Sequence, residues 1–251
     1  MSDEHGIVRV SVNHDALIQD TARLFQEVVA ASVRDHSRAD VALSGGSTPR
    51  ALYELLAAPE FAASIPWENV HIWFGDERCV PPDNEQSNYR MASESLLNHV
   101  SVLPQRIHRM KGELEPVAAA AEYEDEIRKE LPFQNGMPVF DFNLLGVGPD
   151  GHTASLFPGT AALQEEIKVT VGHFVPNVQM NRITLTFPAI NNSAVIAFLV
   201  SGADKADILA HIFRPIEPDQ TPYPSQMVRA LHGKLYWLLD APAATQLHGA
   251  F

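Results

Sequence analysis

The sequence predicts an α/β protein: an open, mostly parallel, doubly wound (Rossmann-like) sheet with helices on both faces. Three observations predict it. Short, nearly all-apolar runs such as Asp40-Val41-Ala42-Leu43-Ser44 suit central parallel strands covered on both sides. Amphipathic stretches at helical spacing alternate with those runs along the chain. No internal repeat or shift in composition divides the 251 residues, so the expectation is one domain over 1–251.

Element by element, Ile7 to Val12 alternates apolar and polar residues, as a half-buried strand does. Asn13 offers an N-cap for an amphipathic helix to about Arg34, with Leu17, Leu24 and Val28 among its inner residues. The strand at 40–44 runs into Gly45-Gly46-Ser47. Thr48 as cap and Pro49 at the first helical position open a helix to about Ala57. Val70 to Phe74 reads as a strand, Gly75-Asp76-Glu77-Arg78 as its exit, and Asn88 to His99 as a helix. A charged helix over Ala118 to Leu131 precedes a strand over Phe140 to Val147. Ile183 to Phe187 and Ala194 to Val200 are further strands, Ala203 to Phe213 a helix, and Pro215 to Pro224 a proline-rich surface loop. Lys234 to Leu239 is the last strand, and Ala241 to His248 a short closing helix.

Composition removes several functional classes. Thirty-one acidic against 18 basic side chains leave a formal charge of -13, which opposes binding to a nucleic-acid backbone or an anionic membrane. A small anion remains compatible, because backbone N–H groups and a few basic residues can hold it locally. The single cysteine, Cys79, excludes an intramolecular disulfide and a multi-cysteine metal site. No basic, then apolar, leader opens the chain and no run approaches the roughly 18 apolar residues of a membrane span. The expectation is a cytoplasmic protein. Its oligomeric state stays open, and a monomer is compatible with the sequence.

Open parallel sheets bind ligands outside the carboxyl ends of their strands, and four such exits carry unusual residues. Ser44-Gly45-Gly46-Ser47-Thr48-Pro49 combines close backbone approach with a helix N-terminus and two hydroxyls. It is a phosphate cradle without the lysine of a P-loop, or simply a tight capped turn. Asp76 and Glu77 with Arg78 are costly after a buried strand unless they face a cleft or pair with one another. Arg78 suits phosphate and Asp76 suits a base or a sugar hydroxyl, while the plainer reading is a solvated ion pair. Gly146-Val147-Gly148-Pro149-Asp150-Gly151-His152-Thr153-Ala154-Ser155 surrounds one histidine with three glycines and a proline. Histidine can take a proton from water and return it, Asp150 is close enough to orient the ring, and the alternative is a structural loop histidine. Ser201-Gly202-Ala203-Asp204-Lys205 places Lys205 near a further helix start, as a point charge for phosphate or as a solvated lysine.

Other residues carry plainer meanings. His71 lies in a strand as core or sheet edge, while His99, His108 and His211 lack metal-ligand spacing. Trp67, Trp73 and Trp237 read as packing. No Gly-x-Ser-x-Gly elbow supports a serine triad.

Taken in order, these segments are similar to the 6-phosphogluconolactonase family, within the wider group of sugar-phosphate isomerase and glucosamine-6-phosphate deaminase folds. The resemblance is carried by Leu43 to Pro49, Trp73 to Arg78 with Val80-Pro81-Pro82, Ser87-Asn88-Tyr89, Gly148 to Pro158, Arg182 to Thr186, and Ser201 to Lys205. Val147 departs from the methionine common in relatives, apolar for apolar. The resemblance implies hydrolysis of 6-phosphoglucono-1,5-lactone in the oxidative pentose phosphate pathway. By analogy His152 acts as general base and then acid, with Asp150 and Asp76 as supports. Gly45, Gly46, Ser47 and Thr48 hold the phosphate with Arg78 and Lys205. Hydrolysis of an activated ester calls for no cofactor and no metal. The nearest rival is a deaminase or isomerase, whose relatives resemble Met-Asp-Glu-Tyr where this chain has Gly75-Asp76-Glu77-Arg78. A non-catalytic sugar-phosphate sensor is the other rival, opposed by the absence of a spare basic helix-turn-helix segment.

Overall fold

A computed structural model describes residues 6–216 and 219–247. In chain order its strands are β1 (Ile7–Ser11), β2 (Ala39–Leu43), β3 (Val70–Phe74), β4 (Asp76–Arg78), β5 (Phe133–Gln134), β6 (Met137–Pro138), β7 (Phe142–Leu145), β8 (Thr170–Val175), β9 (Met180–Leu185), β10 (Val195–Val200) and β11 (Lys234–Asp240). The helices are α1 (His14–His36), α2 (Ser47–Leu56), α3 (Pro59–Ala62), α4 (Asn88–Ala92), α5 (Pro116–Glu130), α6 (Phe187–Asn191) and α7 (Ala206–Ile212). Six strands form a parallel sheet in the order β1-β11-β10-β7-β2-β3.

Strand periodicity divides the interior in two. Ala197, Leu199, Tyr236 and Leu238 join one buried cluster, which includes residues of α1 and α2. Ile196, Phe198, Val200, Trp237 and Leu239 join the other, with residues of α5, α6 and α7. Alternate residues of each strand therefore feed opposite cores, which is the physical meaning of doubly wound. All five residues of β2 are buried, as the apolar run predicts for a central strand. Asn13 caps α1 as expected, its Oδ1 accepting from Ala16 N at 2.9 Å.

Several expectations are corrected. The Gly75–Arg78 exit contains β4, which pairs antiparallel with β9 and, through it, β8. The strand expected at 183–187 thus belongs to a small three-stranded antiparallel sheet outside the parallel one. The helix expected from Asn88 to His99 is α-helical only to Ala92 and continues as a π-turn over Ser93–Leu97. Gly46, not Thr48, occupies the cap of α2, at φ 112°, with Pro49 inside the first turn, where a missing N–H costs nothing. In place of a closing helix over 241–248, residues 241–246 form turns, and His248 lies outside the described residues. Of the loop expected at 215–224, residues 217 and 218 also lie outside them. No described helix is long and apolar enough to cross a membrane.

Candidate active site

From β2 the chain passes through α2 to β3 on one side, whereas β7 adds on the other side of β2 and leads on to β10 and β11. The direction of winding reverses between β2 and β7. Their carboxyl ends, Ser44-Gly45-Gly46 and Gly146-Val147-Gly148, line a cleft at that switch point. The cleft has a larger lobe of about 270 Å³ that holds Asp76, Arg78, His152, Ser155 and Arg182. A smaller lobe of about 150 Å³ is walled by Ser47, Thr48, Ser201 and Lys205, and shares Gly45, Gly46, Gly146 and Val147 with the first.

The His152 loop is a tight turn. Gly148 N donates to His152 O at 2.9 Å and Gly151 N to Gly148 O at 3.0 Å. Gly151 holds φ 74°, which favours glycine. Gly148 serves a different end, because a Cβ there would lie 2.0 Å from His152 Nδ1. The imidazole Nδ1 donates to Asp150 Oδ1 at 2.5 Å, and its ring stacks on Phe157 with centroids 3.9 Å apart. With Nδ1–H engaged by a carboxylate, Nε2 is the ring nitrogen able to take a proton. Behind the turn, Ser225 donates from both N and Oγ to Gly151 O, and Tyr223 packs over Gly151. The far end of the proline-rich segment is thus a buttress of this loop.

The Asp76-Glu77-Arg78 run is split by strand alternation. Glu77 is buried and accepts from Arg78 N, Asn88 N, Tyr89 N and Ser87 Oγ, anchoring the start of α4. Burial pushes its carboxyl up, while those backbone donors pull it back. Asp76 instead faces the cleft, taking Ser155 Oγ on Oδ2 at 2.6 Å and Asn88 Nδ2 on Oδ1 at 3.3 Å. Arg78 lines the cleft too, with Nη1 donating to Gln86 O at 2.6 Å.

Arg78 pairs in register with Arg182, and Arg182 with His173. Arg182 stands in a motif that carries the family resemblance without a role attached to it; the antiparallel pairing brings it into the cleft. The Nε atoms of both arginines are buried without a partner among the described residues. Burial, opposed by Asp76 and reinforced by the charge of Arg78, holds the Arg182 guanidinium below its ordinary range. Two adjacent cations of this kind are a site for an anion. Burial likewise lowers the His173 imidazole, opposed by the bond from its Nε2 to Ser155 O at 2.9 Å and reinforced by the Arg182 charge.

The expected anchors therefore fall in two groups. Gly45, Gly46, Ser47, Thr48 and Lys205 meet in the smaller lobe, where α2 presents its N-terminus. Lys205 ends a 3-10 turn and lies 3.9 Å from Asp204 Oδ2, so its ammonium is only loosely engaged. Arg78 and Asp76 sit in the larger lobe beside His152, not in the Lys205 lobe, because β4 turns away from β3 toward β9. Cys79 lies just beyond, half-buried, its thiol pushed up to about 11 by burial, as suits an inert side chain.

This geometry defines a doubly wound α/β protein with a cationic, histidine-bearing cleft at its switch point. Residues 12–237 match the family described as glucosamine-6-phosphate isomerases/6-phosphogluconolactonase, and the chain belongs to that family. It is 39% identical over 243 residues to the 6-phosphogluconolactonase of Nostoc sp., covering 96% of this chain and 98% of the relative. It is 38% identical to that of Haemophilus influenzae, covering 90% and 94%. Among solved structures, 6-phosphogluconolactonase from Trypanosoma cruzi superposes with a TM-score of 0.87 at 30% identity, over 99% of this chain and 98% of that one.

Proposed function

We propose that the chain hydrolyses 6-phosphoglucono-1,5-lactone to 6-phosphogluconate, the activity after which its Nostoc and H. influenzae relatives are named. The observation that carries the catalytic reading is His152, held through Nδ1 by Asp150 with Nε2 left to act, beside two arginines and one lobe away from a helix N-terminus. His152 Nε2 takes a proton as water oxygen bonds to C1 of the lactone. The C1–ring oxygen bond then breaks, and His152 returns the proton to the departing ring oxygen, which becomes a hydroxyl. The new carboxyl group loses its proton to solvent.

Gly45, Gly46, Ser47 and Thr48 with Lys205 form the proposed phosphate anchor, and Arg78 and Arg182 extend the positive field toward the reacting end. Anchoring the phosphate away from C1 orients the carbonyl toward the base. Asp76, ringed by Ser155 and Asn88, is an acceptor for a sugar hydroxyl. We also read 1–251 as one domain, a reading supported by a single sheet serving both cores and by a family match across most of the chain. The cytoplasmic setting rests on the sequence alone.

The test is the rate of hydrolysis of freshly generated lactone with purified protein against the spontaneous rate, with glucosamine 6-phosphate as a second substrate. A large catalysed excess and no ammonia are expected. A rate equal to the spontaneous one, or robust ammonia release, overturns the assignment.

A further inference from the structure

Asn88 is 2% exposed and stands at the first turn of α4, its backbone N fixed to Glu77 Oε1 at 2.7 Å. Its side chain takes no part in capping that helix. Nδ2 lies 3.0 Å from Asp76 O and 3.3 Å from Asp76 Oδ1. Both are acceptors, so the amide nitrogen must face Asp76 and Oδ1 must face the other way. There Oδ1 finds no donor among the described residues. What it meets is Gly45: a Cβ added at Gly45 would stand 1.9 Å from Oδ1 and 2.5 Å from Cγ.

Gly45 does not hold a positive φ, unlike Gly46. An alanine there meets no positive-φ strain, and the three atoms nearest its Cβ all belong to the Asn88 side chain. The space that the sequence suggests for a ligand's close approach is, at this glycine, filled by the amide. An unpaired buried carbonyl is costly; here the two bonds to Asp76 leave it no other orientation. The chain of contacts is then continuous, from the Gly45 turn through Asn88 to Asp76, and through Ser155 to the loop that carries His152.

We propose that Asn88 is a positioning residue for the lactone hydrolysis, an inference that rests on the function proposed above. It braces Asp76 with its N–H groups and the Gly45–Gly46 turn with its carbonyl. The anchoring lobe and the hydrolytic lobe thereby keep a fixed spacing. A substrate held by its phosphate in one lobe presents C1 correctly in the other only while that spacing is kept, and small misplacements are costly to rate.

The test is a double-mutant cycle of Asn88→Ala and Gly45→Ala, with kcat and KM for the lactone, Kd for 6-phosphogluconate, and Tm for each protein. Asn88→Ala is expected to lower kcat at least tenfold and to raise KM several-fold, measured well below its Tm. Gly45→Ala alone shifts both in the same direction, by displacing Asn88. In the Asn88→Ala background the same methyl enters vacated space and costs less than twofold further. A packing role would lower Tm and leave kcat and KM per folded molecule unchanged. That result, or a Gly45→Ala effect equally large in both backgrounds, overturns the proposal. Asn88→Asp keeps the shape but replaces both N–H donors, and a full kcat in that variant also overturns it should the alanine protein not fold. A wild-type protein without lactonase activity defeats the function reading instead; the 6-phosphogluconate Kd values around the same cycle still decide the role of Asn88.

Discussion

At the scale of single residues, the centre of the site is an imidazole with its surroundings cut to fit. Gly148 leaves room for the His152 ring at the atom that meets Asp150, so Gly148→Ala is expected to tilt the ring and lower kcat by about 100-fold. Steady-state kinetics checks this, and an unchanged kcat would show the ring position to be unimportant. Arg78 and Arg182 each offer charge-assisted bonds to an anion, worth about 1.5–3 kcal/mol apiece. Replacing either with alanine should weaken 6-phosphogluconate binding by roughly 10- to 100-fold, read by calorimetry. His152 and Asp150 were legible in the sequence because one tight loop holds both, two residues apart. Arg182 was not, because its place depends on β9 pairing with β4, a contact between distant segments with no local signature. Asn88 likewise reveals its partner only once α4 lies beside the Gly45 turn.

At the scale of elements, the parallel strands and their helices were readable from periodicity, because the inner strands bury both faces, the edge strand β1 alternates apolar and polar residues, and each long helix buries one face. The departures occur where a short segment answers to a neighbour more than to its own pattern. Asp76–Arg78 is three residues long and polar, yet it becomes a strand because β9 offers it a partner and Glu77 can be buried against four donors. Glu77 is thus the pin joining β4 to α4. Glu77→Gln should cost about 1.5–3 kcal/mol of stability, seen as a lowered midpoint in urea, whereas a solvated loop carboxylate would cost almost nothing. The turns at 241–246 show the converse: short apolar spacing alone did not make a helix. Ala243 N instead donates to Asp240 Oδ1, which closes the first turn after β11.

At the scale of the whole molecule, a charge of -13 coexists with a cationic cleft because the arginines and Lys205 converge at one switch point. The opposite end of the sheet carries a second polar group. His71 Nδ1 lies 3.0 Å from His108 Nε2, His108 Nδ1 lies 2.6 Å from Glu126, and Trp73 stacks on His108 while donating to Asp40. Burial and the nearby Arg38 charge lower His71 from its usual value to about 4, with Asp40 opposing. The unfolded chain, with His71 near 6.5, binds more protons between pH 6.5 and 4, so folding stability falls as pH drops through that window. His173, also lowered, adds to the loss. Tm measured against pH should decline across this range, and His71→Gln should decline less steeply; an identical slope would assign the acid loss elsewhere. The fold class followed from sequence because burial pattern determines it, but this histidine pair did not, since the two residues meet only where the segment before His108 runs along β3.

The most direct test of the account is His152→Ala, assayed for lactone hydrolysis above the spontaneous rate and for 6-phosphogluconate binding in the same preparation. The cleft geometry predicts that most of the catalysed excess disappears while the product dissociation constant stays within a few-fold of wild type. Near wild-type turnover in that variant would contradict His152 as the base.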